Sequence, residues 1–207
     1  EVFQFPVGST EVALSVKDSS GNEDTGTVTI TVVDTTPPVL SGVVDVTLAA
    51  DDSSGVSSQG QLAVTALDLV EGEVSVVLSI GEAELPASYP LGTTEVTVTA
   101  TDSSNNSVSN TLIVTVTDQT DPVIVSASGV TLEATGPGGY SGTVDEVIAA
   151  IVVSDNVDTA PVVALADGVD GNFPLGPTDV SVTVTDAADN SSSGTVPVTV
   201  VDTTAPS

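Results

Sequence analysis

Three stretches of this chain alternate apolar and polar residues with a period of two. Val12, Leu14 and Val16 alternate with Ala13, Ser15 and Lys17, and after Asp18-Ser19-Ser20-Gly21-Asn22 the pattern resumes as Val28, Ile30 and Val32 against Thr27, Thr29 and Thr31. Successive side chains of a strand face opposite ways, so this predicts two half-buried strands joined by a polar turn. The hairpin returns as Val96, Val98 and Ala100, Asp102 to Asn106, then Leu112, Val114 and Val116. A third copy runs through Val180, Val182, Val184, Asp186 to Asn190, Val196, Val198 and Val200.

The motifs ahead of these hairpins repeat as well. Phe5-Pro6-Val7-Gly8, Tyr89-Pro90-Leu91-Gly92 and Phe173-Pro174-Leu175-Gly176 are spaced by 84 residues, twice. A fixed period of this size is the signature of a tandem array. It divides the chain into a C-terminal half-repeat at 1–37 and two whole repeats at 38–121 and 122–206. Asp34-Thr35-Thr36-Pro37-Pro38, Asp118-Gln119-Thr120-Asp121-Pro122 and Asp202-Thr203-Thr204-Ala205-Pro206 read as exit linkers that proline holds extended. Val44, Val46 and Leu48, Leu62 to Val70 and Val74 to Ile80 predict further strands in the second repeat. Val130, Leu132 and Ile148 to Val153 do so in the third. Pro197 falls on the outward face of the last strand, which predicts a sheet edge there. About seven short strands per repeat with turns between them give an all-β fold of tandem immunoglobulin-like β-sandwich domains.

Composition narrows the chemistry. There is no Cys and no His, so disulfides, thiolate nucleophiles and the commonest general base and transition-metal ligand are absent. Oxygen is what remains for metal binding. Asp and Glu number 29 against one basic residue, a net charge of −28, which repels nucleic-acid phosphates and anionic lipid surfaces. Such a surface suits solubility in salt, or acids awaiting divalent cations, or both. The longest apolar run, Val147 to Val153, is too short to span a membrane. The chain starts inside a repeat and carries no visible signal peptide, as expected of a piece of something longer.

Phe-Pro-Leu-Gly-x-Thr-x-Val, Thr-Asp-x-x-x-Asn and Val-Thr-Val-x-Asp-x-Thr-x-Pro together resemble the hyalin repeat (HYR) family. Leu132-Glu133-Ala134-Thr135-Gly136-Pro137-Gly138-Gly139 is similar to that family's early strand and turn. The resemblance covers the chain, weakest from 52 to 86, and implies immunoglobulin-like modules arrayed on extracellular and adhesive proteins. Many family members carry a cysteine four residues before the hairpin Asp, where this chain has Leu14, Val98 and Val182. Disulfide stapling is therefore not inherited, and another stabiliser is called for.

Overlaying positions 84 apart isolates acids present in every copy: Glu11, Glu95 and Asp179; Asp18, Asp102 and Asp186; Asp34, Asp118 and Asp202. Asn22, Asn106 and Asn190 recur with them. Glu11 and Asp18 lie seven residues apart on a strand, about 23 Å, and the returning strand brings Asp34 back to the end where Glu11 sits. A linker is then expected to meet the hairpin loop of the next repeat. The first junction gathers Glu11, Asp34, Asp102 and Asn106, and the second Glu95, Asp118, Asp121, Asp186, Asp189 and Asn190. Carboxylate and amide oxygens in such number suit Ca²⁺, the expected cofactor. The plainer alternative is that each Asp closes an Asx-turn or solvates a linker, with Asn in the left-handed conformation. The aromatic-Pro motif reads as a core plug. Asn105-Asn106-Ser107 and Asn190-Ser191-Ser192 match the glycosylation sequon.

The acids follow the repeat period and converge on no cleft, so no enzyme is expected. The reading is a structural repeat region of an extracellular or cell-surface stalk, adhesin or filament. Its partners are neighbouring repeats and other copies in a fibre, with no nucleic acid and no membrane span; the adhesion ligand is unknown. The alternative is a spacer or glycan-binding accessory module of a secreted enzyme. The half-repeat has an apolar face that calls for cover, from upstream sequence or a neighbouring molecule.

Overall fold

The computed structural model of the chain describes residues 2–58, 60–166 and 169–205. Glu1 and Pro206, which bound the outer predicted repeats, lie outside them. In the first repeat the strands are β1 (Gly8–Lys17) and β2 (Glu23–Val32). In the second they are β3 (Val39–Ser41), β4 (Val46–Ala49), β5 (Val56–Ser57), β6 (Thr65–Asp68), β7 (Gly72–Val74), β8 (Val76–Ile80), β9 (Ala83–Glu84), β10 (Ser88–Tyr89), β11 (Gly92–Thr101) and β12 (Ser107–Thr117). The third holds β13 (Val123–Ala127), β14 (Val130–Glu133), β15 (Tyr140–Ser141), α1 (Asp145–Ala149), β16 (Ile151–Ser154), β17 (Val162–Leu165), β18 (Asn172–Phe173), β19 (Gly176–Thr185) and β20 (Ser191–Val201).

Close packing sorts the chain into two units, one of Glu1–Asp45, Gly60–Leu85 and Glu95–Ile113, the other of Val46–Gln59, Pro86–Thr94 and Val114–Ser207. Within the first unit β1 and β2 form the expected hairpin, with Val12 opposite Val28. There, too, β6 lies between β3 and β7, and β8 pairs with β9 and with β11 from Thr97 to Ala100. Hydroxyl contacts of Thr99 with Ser109 (2.8 Å) and Thr101 with Ser107 (2.7 Å) mark the hairpin end of β11 and β12.

The second unit contains the whole third repeat. Its four-stranded sheet runs β14-β20-β19-β17, while β13 pairs with β16 and β15 with β18. Leu132, Val180, Val182, Val196, Val198 and Val200 from the large sheet pack against Val147 of α1, Ile151 of β16 and Phe173, with Ile124 of β13 alongside. Two β layers thus close on one core, and the alternating residues of the hairpin supply most of it. The β4 strand joins the end of β12 in parallel, Val46 to Val114, as β14 joins β20, Val130 to Val198. The aromatic plug holds in two of the three copies: Tyr89 and Phe173 are buried, and Phe173 stacks on Tyr140 at 6.4 Å, while Phe5 is only half-buried.

Three expectations are corrected. Ile148 and Ala149 finish the helical turn α1 before strand resumes at Ile151; Asp145 and Glu146 in the first turn favour a helix start, and the turn buries Val147. In the hairpin loops the left-handed residue is the one before the recurring Asn: Gly21 (φ 91°), Asn105 (φ 67°) and Asp189 (φ 68°). And β20 is no edge strand, for it lies between β14 and β19. Pro197 is tolerated because β14 joins only from Val198 onward. At the same register in the second repeat, Ile113 does have an N–H, and it donates to Asp45 Oδ1 at 2.8 Å. The position matching Asp45 is Gly129, beside the Pro197 ring, so donor and acceptor are lost together.

The half-repeat differs from its copies in burial. Leu14 is 54% exposed and Val16 68%, whereas Val98 and Ala100 are 0% and 1% exposed, and Val182 and Val184 1% and 0%.

Candidate metal centres at the repeat junctions

Each hairpin loop is organised by its first Asp. Asp102 Oδ1 accepts the Asn106 backbone N–H at 2.8 Å and its Oδ2 accepts Asn106 Nδ2 at 2.7 Å. Asp186 and Asn190 repeat both bonds at 2.9 and 2.8 Å, and Asp18 and Asn22 at 2.9 and 2.8 Å. The Asx-turn reading of these residues is therefore correct. It is incomplete, because the Asn amide reaches further: Asn106 Nδ2 donates to the Asp34 carbonyl at 3.2 Å, and Asn190 Nδ2 to the Asp118 carbonyl at 3.5 Å. One amide ties a loop to the linker of the preceding repeat. That linker is shaped in turn by Asp34 and Asp118, whose Oδ1 atoms accept the N–H of Thr36 (3.0 Å) and Thr120 (3.1 Å).

A third acid closes each group. Asp34, Asp68 and Asp102 place carboxylate oxygens within 4.8 Å of one another, and so do Asp118, Asp155 and Asp186. Asp68 ends β6, and its Oδ1 accepts the N–H of Val70 (2.7 Å) and Glu71 (3.0 Å). Asp155 does the same for Val157 (2.9 Å) and Asp158 (2.8 Å). The turns then reach the hairpin loops, since Glu71 Oε2 accepts the Ser103 N–H at 2.7 Å and Asp158 Oδ2 accepts the Ala187 N–H at 3.0 Å.

Asp68 is 3% exposed, and its Oδ2 is buried with no hydrogen-bond partner; Asp155 Oδ2 is likewise buried and unpaired. Buried polar atoms are almost always paired, so an orphan oxygen on a carboxylate grouped with two others makes each group a candidate cation site. Backbone N–H donors, that of Glu71 foremost, hold the Asp68 carboxyl below the usual carboxylate range, so it is ionised at neutral pH. Burial pushes the Asp186 carboxyl up, yet the Asn190 amide and the loop N–H groups outweigh it and leave it below its ordinary value.

Of the residues singled out in the sequence, the structure brings Asp34 with Asp102, and Asp118 with Asp186, and sets Asn106 and Asn190 beside them. Glu11, Glu95, Asp121 and Asp189 are members of neither group and are exposed. Glu11 lies three residues inside β1, opposite Thr29, and Asp189 is the left-handed residue of its loop. Asp68 and Asp155 were missed because they are 87 residues apart, so an overlay at 84 separates them. The signal was Asp68-Leu69-Val70-Glu71 against Asp155-Asn156-Val157-Asp158, aligned by one three-residue insertion.

The chain is thus nearly all β, of tandem β-sandwich type, and carries two acidic groups built alike. Residues 3–32 match the family model described as HYR domain, which bears out the resemblance over that stretch. Hyalin of Strongylocentrotus purpuratus is 58% identical over 40 residues, 18% of this chain. The aligned stretch is about 3% of that protein's length. Among solved structures, human CDH23 EC21-23 is 16% identical with a TM-score of 0.40, covering 92% of this chain and 74% of that one. Mouse cadherin-23 EC22-24 is 16% identical with a TM-score of 0.34, covering 94% and 74%. PcdhgB3 EC1-4 is 14% identical with a TM-score of 0.37, covering 94% and 57%. Among the described residues, no helix is long and apolar enough to cross a membrane.

Proposed function

We propose that this chain is a structural repeat region of an extracellular or cell-surface stalk, adhesin or filament, stiffened by Ca²⁺ at its repeat junctions. The observation that carries the reading is the buried, unpaired Oδ2 of Asp68, set among three carboxylates of which one comes from the preceding repeat. Ca²⁺ takes six to eight oxygen ligands in flexible geometry, which suits sites built without His or Cys. Bound there, it would neutralise three converging charges and join linker, β6 turn and hairpin loop, so that the linker no longer swings freely. Asp118, Asp155 and Asp186 would do the same one repeat on. The role is structural, not catalytic, since the chain has neither His nor Cys and Lys17 is its one basic residue. Neighbouring repeats, and other copies in a fibre, are its partners.

The test is thermal unfolding of the chain with millimolar Ca²⁺ and with chelator, paired with small-angle scattering. Calcium is expected to raise the melting temperature and to lengthen the particle or narrow its distribution of dimensions. No change in either would refute the calcium role, leave the acids as a salt-adapted surface, and favour a flexible spacer of a secreted enzyme.

A further inference from the structure

The two acidic groups are built alike, and one residue sets them apart. Asp68 and Asp155 open equivalent turns, with the same two N–H groups on Oδ1 and the same reach of Glu71 or Asp158 to the hairpin loop. The next residue is Leu69 in the first turn, 88% exposed, and Asn156 in the second. Asn156 Nδ2 donates to the carbonyls of Ala50 (3.1 Å) and Asp51 (3.3 Å), which fixes the amide plane. Its Oδ1 is then buried with no hydrogen-bond partner, on the residue that follows Asp155 in the chain, whose own Oδ2 is also buried and unpaired. The first turn thus presents one buried unpaired oxygen, from Asp68, and the second presents two from adjacent residues.

We infer that the junctions load unequally: Asn156 Oδ1 is a fourth protein oxygen for the cation at Asp118, Asp155 and Asp186, and that site fills first. The inference rests on the calcium reading above. An amide carbonyl is an ordinary Ca²⁺ ligand, and affinity rises with the number and rigidity of oxygens already in place. The anchoring of Nδ2 supplies the rigidity, and Leu69 offers nothing in its place. Ala50 and Asp51 belong to the second repeat and Asn156 to the third, so the residue that would strengthen the site also ties the two repeats together. As calcium rises, the second junction would stiffen before the first.

Isothermal titration of the full chain with CaCl₂ tests this. Wild type is expected to give two steps separated by about tenfold or more in affinity. Asp155→Asn should remove the tighter step and Asp68→Asn the weaker. Asn156→Leu should bring the tighter step down to the weaker, while Asn156→Asp, which keeps an oxygen there, should retain it. The melting temperature of Asn156→Leu in chelator checks its fold, and its unaltered weaker step is an internal control. Two equal steps in wild type, or a tight step that survives Asn156→Leu, would overturn the inference and leave the calcium reading standing. Loss of the tight step in both Asn156→Leu and Asn156→Asp would show that the amide's donors matter and not its oxygen, and would also overturn it. No calcium heat at all would overturn the reading beneath it.

Discussion

Leu14, Val98 and Val182 occupy one register in three copies of one hairpin, yet Leu14 is 54% exposed and the other two 0% and 1%. Truncating each to Ala therefore has a predictable order. Val182→Ala removes two carbons from a closed core, about 1.6 kcal/mol at ~0.8 kcal/mol per buried carbon. The cavity left behind raises this to roughly 2–3 kcal/mol. In a repeat of this size such a loss lowers the midpoint by roughly 8–24 °C. Val98→Ala should behave the same way. Leu14→Ala removes one more carbon, but from a face already half in water where no cavity forms, so it should cost less than about 1 kcal/mol. Scanning calorimetry of the full chain at two concentrations reads all three. A Leu14→Ala loss as large as that of Val182→Ala, and growing with concentration, would refute the reasoning, for it would mean that a second copy covers the β1–β2 face in solution.

Further outcomes follow from individual contacts. Gly139 has φ +116°, and a Cβ there would run into the Phe173 carbonyl, so Gly139→Ala should cost at least about 2 kcal/mol, while Gly138→Ala, which meets nothing, stays near neutral by urea titration. Ile113→Pro removes the N–H held by Asp45, and in an Asp45→Gly background it recreates the Gly129 and Pro197 pair; a double-mutant cycle should show favourable coupling of about 0.5 kcal/mol or more. Glu133 accepts the Thr203 N–H (2.7 Å) and hydroxyl (3.0 Å), which lower its carboxyl from 4.5. Its folded value lies below its unfolded one, so its contribution is complete above the unfolded value and lost as pH falls through the folded one. The melting difference between wild type and Glu133→Gln should accordingly be constant from pH 7 to 5.5 and shrink as acid protonates the folded carboxylate; a difference that grows on acidification would contradict the assignment.

Where the chain repeats itself at a constant spacing, the sequence was a good guide. The hairpins, the plugs Tyr89 and Phe173 and the pairs Asp34 with Asp102 and Asp118 with Asp186 were all legible, because alternation reports burial and recurrence reports a shared role. Asp68 and Asp155 were not, since the segment before them differs in length between repeats and the turn that orients them is made by backbone N–H groups of any residue. Glu11 and Glu95 recurred as faithfully as the members of the acidic groups, yet they are exposed strand residues outside both. Recurrence alone does not separate a junction residue from one fixed by strand register. The place of β20 was misread because a proline argues for an edge only when the flanking strand extends past it, and β14 begins one residue later.

Each acidic group borrows one carboxylate from the repeat behind it and takes two from its own. No single repeat owns a complete group, and a lone unit excised from the array would display an unfinished half-site at each end. An array of n such units therefore carries n − 1 groups, and tandem duplication of one 84-residue block adds one unit and one finished junction in the same event. Lengthening by duplication needs no new junction to be invented, which lets arrays of this kind vary in number.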